Sequence, residues 1–204
     1  NFSKKGRYRN MSWRNILKKS FIFDPDEPNV GGFDVYDQNV ELNLSALGEI
    51  SRDNQKDRVI LTLAHEYAHL GAGEEIRDGI IKHINAIFQE YARSGPNVDN
   101  GTGANWNPNT NQNLKKLLQN FAGFMYGVEL HALRSEQTTA NRNWLTTNRY
   151  DGGPPDVVNI LPWIEELILE GFHFTGGKYE WPLEQEAISV IREHLVNLAE
   201  KYES

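Results

Sequence analysis

The sequence predicts an α+β fold that is mainly helical, with a small antiparallel sheet in its N-terminal part. Four stretches, 57–70, 74–93, 114–145 and 183–202, place apolar residues at the spacing of buried or amphipathic helices. The stretch 32–47 instead carries a broken alternation of apolar and polar residues, which is typical of strands. Long helices are therefore expected to follow a short sheet.

Composition predicts one globular domain. The chain has 204 residues, of which 39% are hydrophobic and 24% charged, enough for one substantial core. No apolar run approaches the roughly 18 residues needed to span a membrane, and no signal-peptide pattern opens the chain. The absence of cysteine excludes disulfide bonds and thiolate metal ligands. We expect a soluble domain. Because the chain begins at Asn1 rather than Met, it is expected to be a fragment, a mature form or a domain of a longer protein, so the missing signal pattern carries little weight.

Charge divides the chain into a basic N-terminal arm, residues 1–20, and an acidic domain, residues 21–204. The arm has seven Lys and Arg residues and no acid. Because the net charge of the whole chain is −7, residues 21–204 carry a net charge of about −14. An acidic body argues against nucleic acid as the main partner. The arm itself is interpreted as a solvated linker end, with contact to an anionic surface as the alternative.

The sheet is expected within residues 21–93, before the first long helix. Phe21–Phe23 is predicted to be a short strand, closed by turn residues over 24–28. One or two antiparallel strands are predicted after Gly31–Gly32, from the alternation of Phe33, Val35, Val40, Leu42 and Leu44.

The first long helix contains the pattern His65-Glu66-x-x-His69 inside an apolar run. Positions i and i+4 lie on one helical face, so both imidazoles point the same way, and Glu66 projects about 100° from them. Buried histidines need partners, and a metal ion bound between them would serve both. Two imidazoles suit Zn²⁺, and a nearby carboxylate that is not a ligand can accept a proton from water. We therefore predict a zinc site with Glu66 as general base.

This segment resembles the active-site helix of the zincin metallopeptidases, over the five residues of the motif. The resemblance implies a zincin-like fold and hydrolysis of peptide bonds. It also implies that an edge strand before the helix lines the cleft and pairs with extended substrate. Val40–Leu44 is the candidate for that strand, and an ordinary sheet strand is the alternative.

The second half of the chain is predicted to be helical around a long loop. A packing helix is expected over 74–93 and a long polar loop, rich in Asn, over 94–113. The helical part, 114–204, begins with the helix 114–145. Gly123 and Gly127, one turn apart, leave a groove for close approach of another helix, and the motif helix is the expected neighbour.

A catalytic zinc usually has a third protein ligand, and the sequence offers it on the helix 114–145. Glu129 and Glu136 lie on one face, two turns apart. The pattern Glu-x-x-Ala-Leu-x-x-Glu-Gln from Glu129, followed by Arg142 and Arg149-Tyr150, is similar to the second motif of gluzincin-like metallopeptidase domains in bacterial toxins and injected effectors. The resemblance implies that Glu129 is the ligand and that Glu136 is an outer partner or an alternative ligand.

Two further residues remain as alternative third ligands. Glu75, six residues after His69, stands where metzincin-like enzymes place a ligand, although Ala72 occupies the position of their glycine. An acid in the first turn of a helix explains Glu75 equally well, because it interacts favourably with the helix dipole. His131 is the remaining candidate.

The C-terminal part is expected to hold a loop over 149–155, a short helix over 163–170 opened by Pro162 and ended by Gly171, and then a β-hairpin. The hairpin would join Phe172–Thr175 to Lys178–Trp181 through Gly176–Gly177. A final helix follows. An additional donor for the oxyanion is sought on these segments. The candidates are Tyr150, Arg149 and His173, with packing or surface roles as their alternatives.

These features predict a zinc-dependent endopeptidase whose partner is a protein or peptide substrate. The resemblance further implies a catalytic domain of a bacterial toxin or effector, secreted or delivered into a target cell, with a cognate inhibitor or immunity protein. Two alternatives stay open: a zinc hydrolase of non-peptide amides or esters, and a non-catalytic, zinc-stabilised binding module. Glu66 argues against the module, because a structural site has no use for a base.

Overall fold

Seven segments of the chain are described by the computed structural model: residues 21–22, 24–26, 29–50, 52–94, 108–143, 153–174 and 184–204. They form three strands, β1 (Phe21–Ile22), β2 (Gly31–Asp34) and β3 (Asn39–Asn43). They also form six helices, α1 (Leu44–Gly48), α2 (Arg52–Gly71), α3 (Gly73–Ser94), α4 (Gln112–Asn143), α5 (Val157–Phe174) and α6 (Glu184–Glu203). Helices dominate, as predicted. In these segments no helix combines the length and the apolar character that crossing a bilayer requires.

Helix α4 lies at the centre of the helical core and packs against α2, α3, α5 and α6. Its apolar stripe is fully buried at Leu118, Phe121 and Met125. The neighbouring helices contribute further buried side chains to the same cluster, among them Ile87, Ile164, Ile191 and Leu195. Burial on this scale, rather than local helix propensity, holds the helices together.

Helix α2 is a neighbour of α4, as predicted, but the predicted close approach at Gly123 and Gly127 is wrong. A β-carbon on Gly123 would have His194 Nε2, on α6, as its nearest neighbour at 3.8 Å, and one on Gly127 would meet nothing within 4 Å. Helix α2 packs instead against the face of α4 that carries Glu129 and Ser135. The glycines therefore do not set the α2–α4 contact.

The small sheet has the strand order β1–β3–β2. Strands β2 and β3 form the predicted antiparallel hairpin, with Gly31 opposite Leu42 and Asp34 opposite Asn39, whereas β1 pairs with β3 in parallel. Because β3 has a partner on each side, the expectation that 40–44 forms an edge strand is wrong, and Leu44 already begins α1. Among the described residues the edge strands are β2 and the two-residue β1, and β2 is the edge that lines the cavity in front of His65 and His69.

Two close contacts fix the hairpin, one on α2 and one on the first residue of α3. A β-carbon at Gly31 would overlap Thr62 Cγ2 on α2 and lie 3.5 Å from Glu66 Cγ, so only glycine allows β2 to approach this closely. At the turn, Gln38 has a left-handed backbone with φ of 52° and donates side-chain hydrogen bonds to the carbonyl oxygens of Val35 and Gly73. The hairpin is thereby held at the middle of α2 and at the start of α3.

The C-terminal part departs from the prediction. Helix α5 begins at Val157 after Asp156, whose carboxylate accepts the Val158 N–H, and it runs through Pro162 and Gly171 to Phe174. Phe172–Phe174 are therefore helical, and the predicted hairpin strand is wrong there. Burial of α5 outweighs the helix bond that Pro162 removes, because its apolar residues keep helical spacing across the proline: Ile160, Leu161, Ile164, Leu167 and Ile168.

Several predictions fall on residues that the structure does not describe. These are the basic arm 1–20, most of the polar loop 94–113, and the second half of the hairpin, 178–181.

A polar cluster around Glu90 joins the end of α3 to the start of α4. The buried Glu90 carboxylate accepts hydrogen bonds from Arg93 and from the side-chain amides of Asn111, at 2.8 Å, and Asn113, at 2.7 Å. Asn111 also caps α4 by accepting the N–H groups of Asn113 and Leu114. The bond from Arg93 outweighs burial and, with the two amides, lowers the pKa of Glu90 to about 2.

We expect Glu90→Gln to destabilise the fold at neutral pH by about 1–3 kcal/mol, because a buried charge-assisted cluster is broken. The folded-state pKa lies below the usual value of 4.5, so this contribution is complete above about pH 5 and is lost as pH falls toward 2. Denaturant unfolding of both proteins across this range measures the difference. The exposed Glu74→Gln is the matched control, and a gap from wild type that stays constant at acid pH would refute the assignment.

Candidate metal centre

Helix α2 presents His65 and His69 on one face, as their spacing predicts. The two rings meet edge to face, with centroids 4.8 Å apart, and their Nε2 atoms lie 3.1 Å from each other. His69 is 3% exposed. In the absence of an ion, one Nε2–H can donate to the other Nε2 at this distance, and a cation between the rings would instead accept a lone pair from both.

Helix α4 brings Glu129 to the same point. Its Oε2 lies 3.3 Å from His65 Nε2, and its Oε1 lies 3.2 Å from His69 Nε2. Among the described residues, His65, His69 and Glu129 form a group whose ligand atoms all lie within 4.8 Å of one another and could hold a metal ion.

The three side chains converge closely enough to share one ion. The Nε2 atoms of His65 and His69 lie 3.1 Å apart, and the contacts of Glu129 with them, at 3.3 Å and 3.2 Å, are made by its two different carboxylate oxygens. With one ligand atom taken from each residue, the three atoms lie within 4.8 Å of one another. Two imidazoles and one carboxylate are a donor set that suits a divalent transition metal such as Zn²⁺.

Glu136 and Ser135 support the group from outside. Glu136 Oε1 lies 3.0 Å from His65 Nδ1, the ring nitrogen that faces away from the cluster. The contact lacks hydrogen-bond geometry in this structure, where His65 Nδ1 has no hydrogen-bond partner, but a carboxylate this close can orient the ring once it accepts the Nδ1–H. Ser135 Oγ donates a hydrogen bond of 3.0 Å to the Ala64 carbonyl, which locks the register of α4 against α2 beside the site.

Electrostatics at the centre favours a positive charge. Burial alone would lower the pKa of His65, but Glu129 and Glu136 outweigh it and raise that pKa to about 10. Burial would raise the pKa of Glu129, but contacts with His65 and His69 bring it down to about 2. Without a metal, these shifts favour an ion pair between protonated His65 and ionised Glu129, and a metal bound there would release the proton of His65.

Glu66 stands beside the group without belonging to it. It is 8% exposed, and no described side chain donates a hydrogen bond to it. Burial raises its pKa, although the two histidines act in the opposite direction. A buried carboxylate that is easy to protonate next to a metal site has the properties of a general base.

A cavity of about 620 Å³ opens in front of the three ligands. Strand β2 forms one wall at Gly31–Phe33, α2 forms the floor, and α5 contributes Trp163. His69 is enclosed by the Phe33 ring, with centroids 5.9 Å apart, and by the Trp163 ring at 6.0 Å. Aromatic rings therefore flank His69, whereas most of the residues that line the cavity are polar or charged.

The remaining candidates lie elsewhere. Glu75 and His131 are exposed, on α3 and α4 respectively, and neither belongs to the ligand group. Arg149 and Tyr150 lie outside the described residues, and for His173 the structure describes only backbone in the last turn of α5. Their proposed roles stay predictions.

Sequence reasoning missed four contributors: Ser135, Trp163, Glu166 and Arg58. The latter three line the cavity. Trp163 and Glu166 belong to a stripe on α5 with helical spacing, completed by Asp156, Asn159 and Glu170. The stripe was detectable in the sequence, but reading Pro162 as the start of a short helix hid it.

Comparisons with known proteins give no assignment. No protein-family model matches the chain, and neither the curated proteins nor the solved structures contain a significant match. We therefore infer function from the residues of this chain alone.

Zinc titration of ligand variants tests the site. We expect Glu129→Ala to lose zinc affinity by more than the roughly 10–100-fold typical of removing an outer partner, and Glu136→Ala to stay within that range. Glu75→Ala is the matched control and should bind as wild type. Competition with a chromophoric chelator measures all three. If Glu75→Ala empties the site while Glu129→Ala remains loaded, the assignment is wrong.

Proposed function

We propose that this chain is a zinc-dependent endopeptidase in which His65, His69 and Glu129 hold the metal and Glu66 is the general base. The observation that carries the proposal is Glu66 itself. It is a buried carboxylate that is adjacent to the ligand group, separate from it, and exposed to the cavity in front of it. A purely structural metal site would need the three ligands alone.

Glu66 has two tasks in this reaction. As a carboxylate it accepts a proton from the attacking water, and as a carboxylic acid it delivers that proton to the leaving amine. Both tasks need a carboxylate close to the ligands that does not itself bind the metal, which is the position of Glu66. A bound Zn²⁺ would supply Lewis-acid activation of the water and the scissile carbonyl.

The edge of β2 supports an extended peptide as the substrate. The Asn43 N–H donates to the Val30 carbonyl at 2.8 Å, so these residues form a hydrogen-bonded pair of the antiparallel ladder. Such pairs alternate, which leaves Gly31 and Phe33 in non-bonded pairs with Leu42 and Val40. The backbone groups of Gly31 and Phe33 therefore point away from β3. A peptide strand added there would run past the ligand group.

The two alternatives make different demands on the molecule. A hydrolase of small amides or esters would use the same metal and base. It would not need the edge of β2, which pairs with no other strand among the described residues. A zinc-stabilised binding module has no use for Glu66. The role in a bacterial toxin or effector, with its inhibitor or immunity protein, is a proposal from the sequence resemblance alone.

Replacing the base tests the reaction. We expect Glu66→Gln to keep fold and zinc content and to lower turnover at least about 100-fold, because the amide cannot accept the proton. Zinc-loaded wild type, Glu66→Gln and the exposed control Glu75→Gln are compared on a mixed-protein substrate, with products followed by mass spectrometry. Retention of a tenth of wild-type turnover by Glu66→Gln would mean that another group is the base.

A further inference from the structure

A second cavity, of about 410 Å³, continues the cleft away from the ligand group. The two cavities share Gly32, Phe33, Trp163 and Glu166, so they form one groove that follows β2. The Trp163 ring lies at the junction, 6.0 Å from the His69 ring. A ligand that occupies the metal centre and extends along β2 in this direction must enter the second cavity.

Carboxylates surround the second cavity. Glu166 and Glu170 lie on the same face of α5 as Trp163, at i+3 and i+7. Asp34 comes from β2 and Glu41 from β3. No Lys, Arg or His is among the described residues that line this cavity. The first cavity differs, because Arg58 lines it together with the metal-binding group.

The hydrogen bonds of these acids leave their charge uncompensated. Asp34 accepts the backbone N–H groups of Tyr36 and Asp37, both at 2.8 Å, and Glu170 pairs with the Tyr36 hydroxyl. These are neutral donors. Burial and then the negative groups Glu170, Glu166 and Asp34 raise the pKa of Tyr36 to about 12, consistent with a negative potential at this end of the groove.

The second cavity is continuous with the first cavity, which contains buried polar side chains. Glu66, more than nine-tenths buried, lines the first cavity beside the three residues that could hold a metal, and the second cavity continues from the first at Phe33 and Trp163. The backbone edge of β2 runs between the two cavities. The acids on α5 thus border the path of a bound peptide.

We infer that the second cavity, the cation subsite, selects peptide substrates that carry an Arg or Lys side chain near the scissile bond. This rests on the proposed peptidase function. The aliphatic stem of the substrate side chain packs along Trp163, and its charged head meets Glu166 and Glu170. Trp163 offers a π face to the cation, and the two carboxylates offer hydrogen-bond acceptors.

The position of the selected residue follows from helix and strand dimensions. From Trp163 to Glu170 the axis of α5 advances about 10 Å, and an extended peptide advances about 3.3–3.6 Å per residue. The Arg or Lys should therefore lie within about three residues of the cleaved bond.

Binding is measured first, without hydrolysis. The probes are fluorescein-labelled peptides with a common Ala/Ser/Leu sequence and a central Arg, citrulline or Glu. They are titrated by fluorescence anisotropy into zinc-loaded Glu66→Gln protein, the full chain. Citrulline is nearly isosteric with Arg but uncharged. We expect the Arg peptide to bind about tenfold more tightly than the citrulline peptide, from two exposed ion pairs and one cation–π contact. The Glu peptide should bind most weakly.

Variants of α5 test whether Glu166 and Glu170 cause the preference for the Arg peptide. Adding Glu166→Gln and Glu170→Gln together should reduce the Arg-over-citrulline preference to about twofold or less, since two charges of the subsite are gone. Glu165→Gln on the same helix does not line the cavity and should leave the preference unchanged. Circular dichroism checks that each variant is folded. If the double variant is unfolded, the comparison of Arg and citrulline peptides on the Glu66→Gln protein, whose second cavity is unchanged, still tests the inference.

The outcomes separate the inference from the function on which it rests. Equal binding of Arg and citrulline peptides, no binding of any peptide, or an unchanged preference in the folded double variant would each overturn the cation subsite. Wild-type enzyme is then given the Arg peptide, and products are read by mass spectrometry. A preference in binding without cleavage supports the subsite and contradicts the peptidase proposal. Cleavage of Arg and citrulline peptides at equal rates contradicts the subsite and supports the peptidase.

Discussion

The packing of α2 against α4 is the interaction on which the rest of the site depends. Neither helix holds three ligands: α2 supplies His65 and His69, and α4 supplies Glu129. The Glu129 carboxylate comes within 3.2–3.3 Å of both Nε2 atoms only in one register of the two helices. A slip of one helical turn, about 5.4 Å, would remove Glu129 from the group. The bond from Ser135 to the Ala64 carbonyl opposes that slip.

Negative charge is the second constraint. Glu66, Glu129 and Glu136 lie around two imidazoles, so the pocket has more acids than bases and attracts a cation. The same sign extends along the groove to Glu166 and Glu170. The proposed metal site and the proposed preference for basic substrates are therefore linked, because both depend on the negative charge of the cleft.

The metal-binding group could be predicted because it depends on local periodicity. The i, i+4 spacing of His65 and His69 and the placement of Glu129 on an inner face of a long helix are properties of single helices. In the structure the two histidines and Glu129 meet at one point, so the spacing on each helix places all three side chains in one group. Glu75 was a genuine rival in sequence, and only the tertiary structure separates it, exposed on α3, from the group.

Features that depend on the packing of several elements were harder to predict. Val40–Leu44 looked like an edge strand, but the parallel pairing of β1 makes β3 central and leaves β2 at the edge. Pro162 and Gly171 looked like helix boundaries, yet the buried stripe from Ile160 to Ile168 carries α5 through both. The same misreading hid Trp163 and Glu166, whose importance comes from facing β2 across the groove.

The most direct test of the central claim is anomalous diffraction at the zinc absorption edge from crystals of the zinc-loaded protein. The account predicts one strong peak within about 2.0–2.2 Å of His65 Nε2, His69 Nε2 and a Glu129 oxygen, with Glu66 outside bonding distance. A peak bound by the two histidines and Glu75, a peak bound by Glu66, or zinc found only away from α2 would contradict it.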